Sequence, residues 1–122
     1  MENWKLTWTK RTALTEEIIN NIPTNKSGIY RLTYKSNDGN YYVFYVGQAE
    51  DIRQRLLDHL SVSEENECIK DHLRTKECFF RYTVITRKAV RDATERLAFL
   101  EYKPTCNYQE PVGNDNILVN LT

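Results

Sequence analysis

The sequence predicts an α+β domain, a small three-stranded antiparallel sheet flanked by helices, and three observations carry that expectation. Residues 28–35 and 41–46 are rich in tyrosine and branched apolar residues, and Asn37-Asp38-Gly39-Asn40 lies between them. Asp-Gly and Asn tolerate the positive φ angles of tight turns, so the pair reads as an antiparallel hairpin. Residues 51–60 and 88–102 instead repeat their apolar positions at helical spacing. The resulting order, strand, strand, helix, helix, strand, helix, is that of a mixed sheet-and-helix layer architecture. A chain of 122 residues suits one domain with one modest core, expected here over residues 27–108, with a strand and helix before it and a short tail after.

Each element has its own local reason. Trp4, Leu6 and Trp8 alternate with polar residues as in a short strand. Thr15 is placed to cap a helix beginning Glu16-Glu17-Ile18-Ile19, which Pro23 and Asn25-Lys26-Ser27 then end. Asp51 precedes Ile52, Leu56, Leu57 and Leu60, an amphipathic helix with an acid at its start. Ser63-Glu64-Glu65 reads as the start of a further helix that turns Cys68, Ile69 and Leu73 inward. Phe79, Tyr82, Val84 and Ile85 within 78–86 supply the β-branched and aromatic types of a third strand. The last helix, over 88–102, is expected to pack Val90, Ala93, Leu97 and Leu100 and to stop before Pro104. Ile117-Leu118-Val119 in the tail is a candidate for one short strand laid over the domain.

Composition narrows the function classes. Seventeen basic and 17 acidic side chains cancel, so no global positive field draws in nucleic acid. The charges are not evenly spread, because residues 69–103 hold nine Lys or Arg against five acids, while 48–68 hold two against six. No apolar run approaches a membrane span of about 20 residues, and Met1-Glu2-Asn3-Trp4-Lys5 lacks a signal-peptide layout. The chain therefore reads as soluble and cytoplasmic. Cys68, Cys78 and Cys106 are odd in number and far apart, which fits reduced thiols better than a disulfide framework. The absence of a Cys-x-x-Cys pair, with only His59 and His72 as further ligands, speaks against a zinc site.

Several polar residues fall where chemistry could use them. Arg55 and His59 are four apart on one predicted helix and so share a face. A guanidinium offers a planar fork of donors to phosphate oxygens, and an imidazole with an unperturbed pKa of about 6.5 can handle a proton near neutrality. Such a pair also fits a surface ion pair of Arg55 with Asp51 beside a solvated histidine. Glu95 should leave the apolar stripe of the last helix, free to offer oxygen to a hard cation or to pair with Arg91 at i−4. Tyr30 and Tyr45 lie on adjacent strands, either as core rings or as hydroxyls needing a partner such as a water beside a metal. Gly28 and Gly47 allow close backbone approach. His72, alone on its helix, reads as structural.

Taken in order, Gly28-Ile29-Tyr30, Tyr45-Val46-Gly47, Arg55, His59, Glu95 and Asn107 resemble the signature of the GIY-YIG nuclease family. Arg55 and His59 follow Tyr45 by ten and fourteen residues, the spacing of that family's arginine and its His or Tyr, and Lys103-Pro104-x-x-Asn107 resembles its closing element. The resemblance implies a metal-dependent endonuclease acting on DNA with one Mg²⁺ or Mn²⁺ held by Glu95. It further implies catalytic roles for Tyr30, Tyr45, Arg55, His59 and Glu95, with Gly28, Gly47 and Asn107 as support. Gln48 stands where some relatives carry lysine. The alternatives on the same fold are a non-catalytic nucleic-acid-binding module and a protein-interaction domain. Larger relatives often take their targeting from attached modules, so targeting here is expected to come from the first 27 residues, the tail, an oligomer such as a homodimer, or a targeting partner.

Overall fold

The computed structural model describes all 122 residues. Its elements in chain order are β1 (Glu2–Lys5), β2 (Thr12–Ala13), α1 (Glu16–Ile19), β3 (Gly28–Lys35), β4 (Tyr41–Ala49), α2 (Ile52–Leu60), α3 (Glu67–Thr75), β5 (Cys78–Val84), α4 (Lys88–Tyr102) and β6 (Ile117–Asn120). The main sheet is antiparallel and has four strands in the order β2-β5-β3-β4. The fourth strand missing from the sequence reading is β2, only two residues long and too short for any periodicity to reveal. The first strand also differs: β1 covers Glu2–Lys5 and pairs in parallel with the tail strand β6, forming a separate ribbon.

The hairpin forms where the turn residues put it. Gly39 has φ 86°, and the Asn40 amide donates to Asp38 Oδ1 at 2.8 Å. Alternation along β3 then divides the interior in two. Tyr30 and Leu32 join Ile19, Ile52, Leu56 and Ile69 in a cluster beneath α1, α2 and α3. Ile29 instead joins Val46, Val90, Ala98 and Ile117 in a second cluster beneath α4 and the terminal ribbon. A sheet with helices on both faces follows from that alternation.

The caps at Thr15 and Asp51 form as their residue types dictate, each oxygen accepting from the amide three residues on at 3.3 Å. Three local expectations change. The third helix starts later, at Glu67, because Asn66 caps it (Ile69 amide to Asn66 Oδ1, 3.1 Å) and residues 61–66 are taken up by turns. On α4 the inward residues are Val90, Arg91, Ala93, Thr94 and Ala98, while Leu97 and Leu100 remain 37% and 48% exposed. Small residues let that helix lie close to the sheet, which pushes the leucines to its flank. Finally, Cys68 and Cys106 are joined in a disulfide rather than reduced, leaving Cys78 as the free thiol. The first turn of α3 lies against the loop after α4, a long-range contact that a separation of 38 residues hides from sequence. His72 closes this region structurally: its Nδ1 donates to the Cys68 carbonyl at 2.8 Å and its ring stacks on Phe44 at 4.5 Å. With the two sulfurs bonded to each other, the Cys68, His72 and Cys106 donors, all within 4.8 Å of one another, are not a thiolate metal site. No helix is long and apolar enough to cross a membrane.

Candidate active site

Helix α2 sets the first half of the site. Ile52 and Leu56 are fully buried, and at 100° per residue position 59 falls almost in line with position 52 and one turn beyond 56. His59 therefore enters the apolar stripe rather than standing free beside it, and only 1% of it is exposed. Arg55 lies on the flank of that stripe and is half-buried. The two do share one side of the helix, but only Arg55 faces open space. Asp51 serves as the helix cap, and no Asp51–Arg55 ion pair forms.

The Tyr30 hydroxyl, 0% exposed, finds its partner in His59 Nε2 at 2.6 Å rather than in a water. That contact needs glycine at position 47. A Cβ built there would stand 2.3 Å from the Tyr30 oxygen, and one at position 28 would stand 2.0 Å from the Thr83 carbonyl. Both glycines thus permit close packing of the sheet. Burial and the nearby Arg55 cation push the His59 imidazole down to about 4, so the ring is neutral at pH 7. Burial, reinforced by the charge of neighbouring Tyr45, holds the Tyr30 phenol well above its ordinary range.

Tyr45 is the more accessible tyrosine. Its ring meets His59 edge-on at 5.3 Å and Tyr30 at 6.2 Å. Burial raises its phenol, while the nearby Arg55 cation opposes the shift, and both side chains line one cavity. Two cavities share Tyr45 and Asn66 in their walls. The first, about 480 Å³, holds Arg55 and Glu64. The second, about 810 Å³, holds Gln48, Asp92, Glu95 and Asn107. Strand β4 is the sheet's outer strand, and the two cavities adjoin at its Tyr45, one reaching Arg55 on α2 and the other Glu95 on α4.

On α4, Glu95 is half-buried and its Oε1 accepts from Gln48 Nε2 at 3.1 Å. The same amide group donates to Asp92 Oδ1 at 3.1 Å, and Gln48 Oε1 accepts from Arg91 Nε at 3.2 Å. Arg91 does not pair with Glu95. Its guanidinium is buried and donates to Ser27 Oγ and to the carbonyls of Ile85 and Thr86. Burial raises the Glu95 carboxyl, and the adjacent Asp92 charge adds to the rise. Asp92 itself is lowered, because Lys88 and Gln48 outweigh its partial burial. A half-desolvated carboxylate beside a second carboxylate, open to a cavity, is a donor set that fits a hard divalent cation. Glu95 would be the ligand, with Asp92 next to it.

Asn107 ties the halves together. Its side-chain carbonyl accepts from the Val46 amide at 2.9 Å and its NH₂ donates to the Val46 carbonyl at 2.8 Å. An outer strand leaves such backbone groups free, and this side chain satisfies both, holding the loop after α4 to β4. Sequence reasoning missed Asp92 and Glu64 and weighed Arg91 only as a partner of Glu95 rather than of Gln48. Asp92 and Arg91 lie one turn before Glu95 on the same helix, a signal that was readable; Glu64, in the turns after α2, gave none.

Comparison with known structures agrees with this fold. The GIY-YIG N-terminal endonuclease domain of UvrC from Thermotoga maritima, bound to magnesium as its catalytic divalent cation, superposes with a TM-score of 0.57 at 18% identity, covering 77% of this chain and 100% of that one. A tyrosine-to-phenylalanine variant of the same domain with its catalytic cation gives 0.57 at 17% identity over 78% of this chain and 100% of that one. An asparagine-to-alanine variant gives 0.54 at 17% identity over the same shares. No protein-family model and no curated protein sequence matches the chain. At these identities the likeness establishes the GIY-YIG nuclease fold and leaves the chemistry to be argued from the residues present.

Proposed function

We propose that this protein is a divalent-metal-dependent endonuclease that hydrolyses DNA phosphodiester bonds with a single metal site at Glu95. The observation that carries the reading is that Tyr45 lines both the cavity that holds Arg55 and the cavity that holds Glu95. A phosphate lying across Tyr45 would meet a cation on one side and a carboxylate suited to a metal on the other. Simple binding of a polyanion gives no reason to keep Glu95 and Asp92 in the groove.

Arg55 donates to the non-bridging phosphate oxygens and stabilises the charge that builds as phosphorus becomes five-coordinate. Tyr45 orients the attacking water from the groove. The Tyr30–His59 pair behind it is the proton acceptor, since His59 is neutral at pH 7 and already bonded to the Tyr30 hydroxyl. In the free protein that hydroxyl is shielded, and hydrogen bonds of free enzymes commonly reach their working geometry only around substrate. A bound Mg²⁺ or Mn²⁺ supplies Lewis acidity at the scissile phosphate. Asn107 keeps α4, and with it Glu95, at a fixed distance from β4. Each chain carries one such site, so cutting both strands takes a dimer or two successive encounters.

The test is nicking of supercoiled plasmid and of branched DNA at low salt with Mg²⁺ or Mn²⁺, run beside Glu95→Gln. Metal-dependent nicking that disappears in the variant supports the reading. Equal nicking by the variant rejects the metal site, DNA binding without any cutting favours a binding module, and neither binding nor cutting favours a protein-interaction domain.

A further inference from the structure

Beyond the residues that the nuclease reading uses lies a buried acid with no assigned work. Glu64 sits in the turns between α2 and α3, yet only 8% of it is exposed. Its position is built: the Glu64 amide donates to the Ser61 carbonyl, Ser61 Oγ donates to the Asp58 carbonyl, and the Ser63 amide donates to Ser61 Oγ. Glu64 Oε2 ends 3.4 Å from His59 Nδ1. That nitrogen is buried and has no aligned hydrogen-bond partner, and the Glu64 carboxylate stands within ion-pair distance of it. On the far side of the ring, Nε2 is 2.6 Å from the Tyr30 hydroxyl.

We propose that Glu64 is a positioning residue for His59: it holds the ring proton on Nδ1, leaves Nε2 free to accept from Tyr30, and stabilises the imidazolium that forms during turnover. The proposal rests on the nuclease reading for its catalytic consequence. A neutral imidazole carries one N–H, and a buried carboxylate beside Nδ1 favours that tautomer over the one with the proton on Nε2. The Tyr30 hydrogen then points inward and the lone pairs of its oxygen are left to receive a proton. In the reaction, water oxygen bonds to phosphorus as the bond from phosphorus to the leaving oxygen breaks. The water's proton goes to the Tyr30 oxygen while Tyr30's own proton goes to His59 Nε2, and the leaving oxygen takes a proton from solvent. The charged ring then lies against Glu64, the same division of labour as an orienting carboxylate in a hydrolase triad. The other groups facing the ring are Arg55 and Asp58 on its own helix, Tyr30 on β3 and Tyr45 on β4. Arg55 opposes the imidazolium and Asp58 favours it, but of the carboxylates only that of Glu64 stands within ion-pair distance of Nδ1.

Two measurements decide it. Nicking kinetics of Glu64→Gln are expected to fall by about tenfold in kcat with KM unchanged, a part of the roughly 10²–10⁴-fold that a positioned general base typically supplies. Loss of the anion makes the imidazolium harder to form, so the acid limb of the variant's pH profile moves to lower pH. A purely structural role would lower the rate without moving that limb, and an unchanged kcat and profile would overturn the proposal. The second measurement is ¹⁵N NMR of the histidine rings of the unaltered protein at pH 7, assigned against His72→Gln. A His59 ring protonated at Nδ1 and bare at Nε2 supports the assignment; the opposite tautomer overturns it, even in a protein that cuts DNA and even where Glu64→Gln does not fold. Failure of the unaltered protein to nick any DNA would reject the nuclease reading alone, and the ring spectrum would still decide whether Glu64 governs His59.

Discussion

Two polar clusters meet at β4, and they are built by opposite means. Behind the strand, Tyr30 and His59 lie among Ile52, Leu56 and the neighbouring core, Glu64 stands against His59 from the wall of the Arg55 cavity, and none of the three is more than 8% exposed. Across the groove, Gln48, Asp92 and Glu95 are half-buried and are joined by long side-chain hydrogen bonds of 3.1 Å. Packing fixes the first cluster, so its geometry resists change and His59 rests neutral at pH 7. The second is held by bonds that a cation or a phosphate can replace without disturbing the core. On the nuclease reading, a site that binds a metal and a polyanion and then releases product has reason to place rigid proton-handling groups behind a rearrangeable face.

Removing a group from either cluster should reveal that contrast. Arg55→Ala takes away the cation at the mouth of the groove and should lower the nicking rate by about 10²–10³, the loss typical of one preorganised donor to a developing oxyanion. Its thermal midpoint should move little, because the side chain is only half-buried. A midpoint that falls as far as the rate would show that Arg55 belongs to the sealed cluster instead.

Acid should strike the sealed cluster specifically. The His59 ring titrates at about 4 when folded and at about 6.5 when unfolded, so between those values the unfolded chain binds more protons. Stability is accordingly full above pH 6.5 and is lost as pH falls toward 4, by about 3 kcal/mol for this one group. Urea midpoints measured at pH 7 and pH 4.5 should differ less in His59→Gln than in the unaltered protein. An equal difference would mean that the ring is not desolvated. A smaller effect is expected of Gly47→Ala. The added methyl meets the Tyr30 hydroxyl at 2.3 Å and forces the ring or the strand to shift, at about 1–3 kcal/mol. Nicking should fall along with stability, since the shift moves Tyr30 off His59.

What the sequence revealed divides along the same line. Periods of 2 and 3.6 residues located β3, β4, α2 and α4, because half-buried elements write their packing into local pattern. The same pattern, followed one step further, would have put His59 inside, seven residues after Ile52. Arg55, Glu95 and Asn107 were legible through their spacing and through Gly28-Ile29-Tyr30. Glu64, the Gln48 bridge, the two-residue β2 and the Cys68–Cys106 bond were not, for they depend on which loops and edges meet in space. Leu97 and Leu100 misled for a related reason: helical spacing says that two leucines share a face, but not whether the sheet reaches that face.

Asn107 offers the finest test of the comparison, since it belongs to neither cluster and fixes the distance between them. Asn107→Ala removes a donor and an acceptor from Val46 at the strand's outer edge. Truncation opens the cavity that Asn107 lines toward the buried Val46 backbone, so water can replace the lost amide and the cost should be about 1–2 kcal/mol. Because the neighbouring residue, Cys106, donates its amide to the Phe44 carbonyl at 2.8 Å and is bonded to Cys68, the loop stays attached when Asn107 is cut back. The loss should therefore fall on the open cluster alone: more metal needed for half-maximal nicking, while the NMR signature of the His59 ring is unchanged. A variant in which the His59 signals move as well would show that the two clusters are one cooperative unit, and that the contrast between a rigid interior and an adaptable face is drawn in the wrong place.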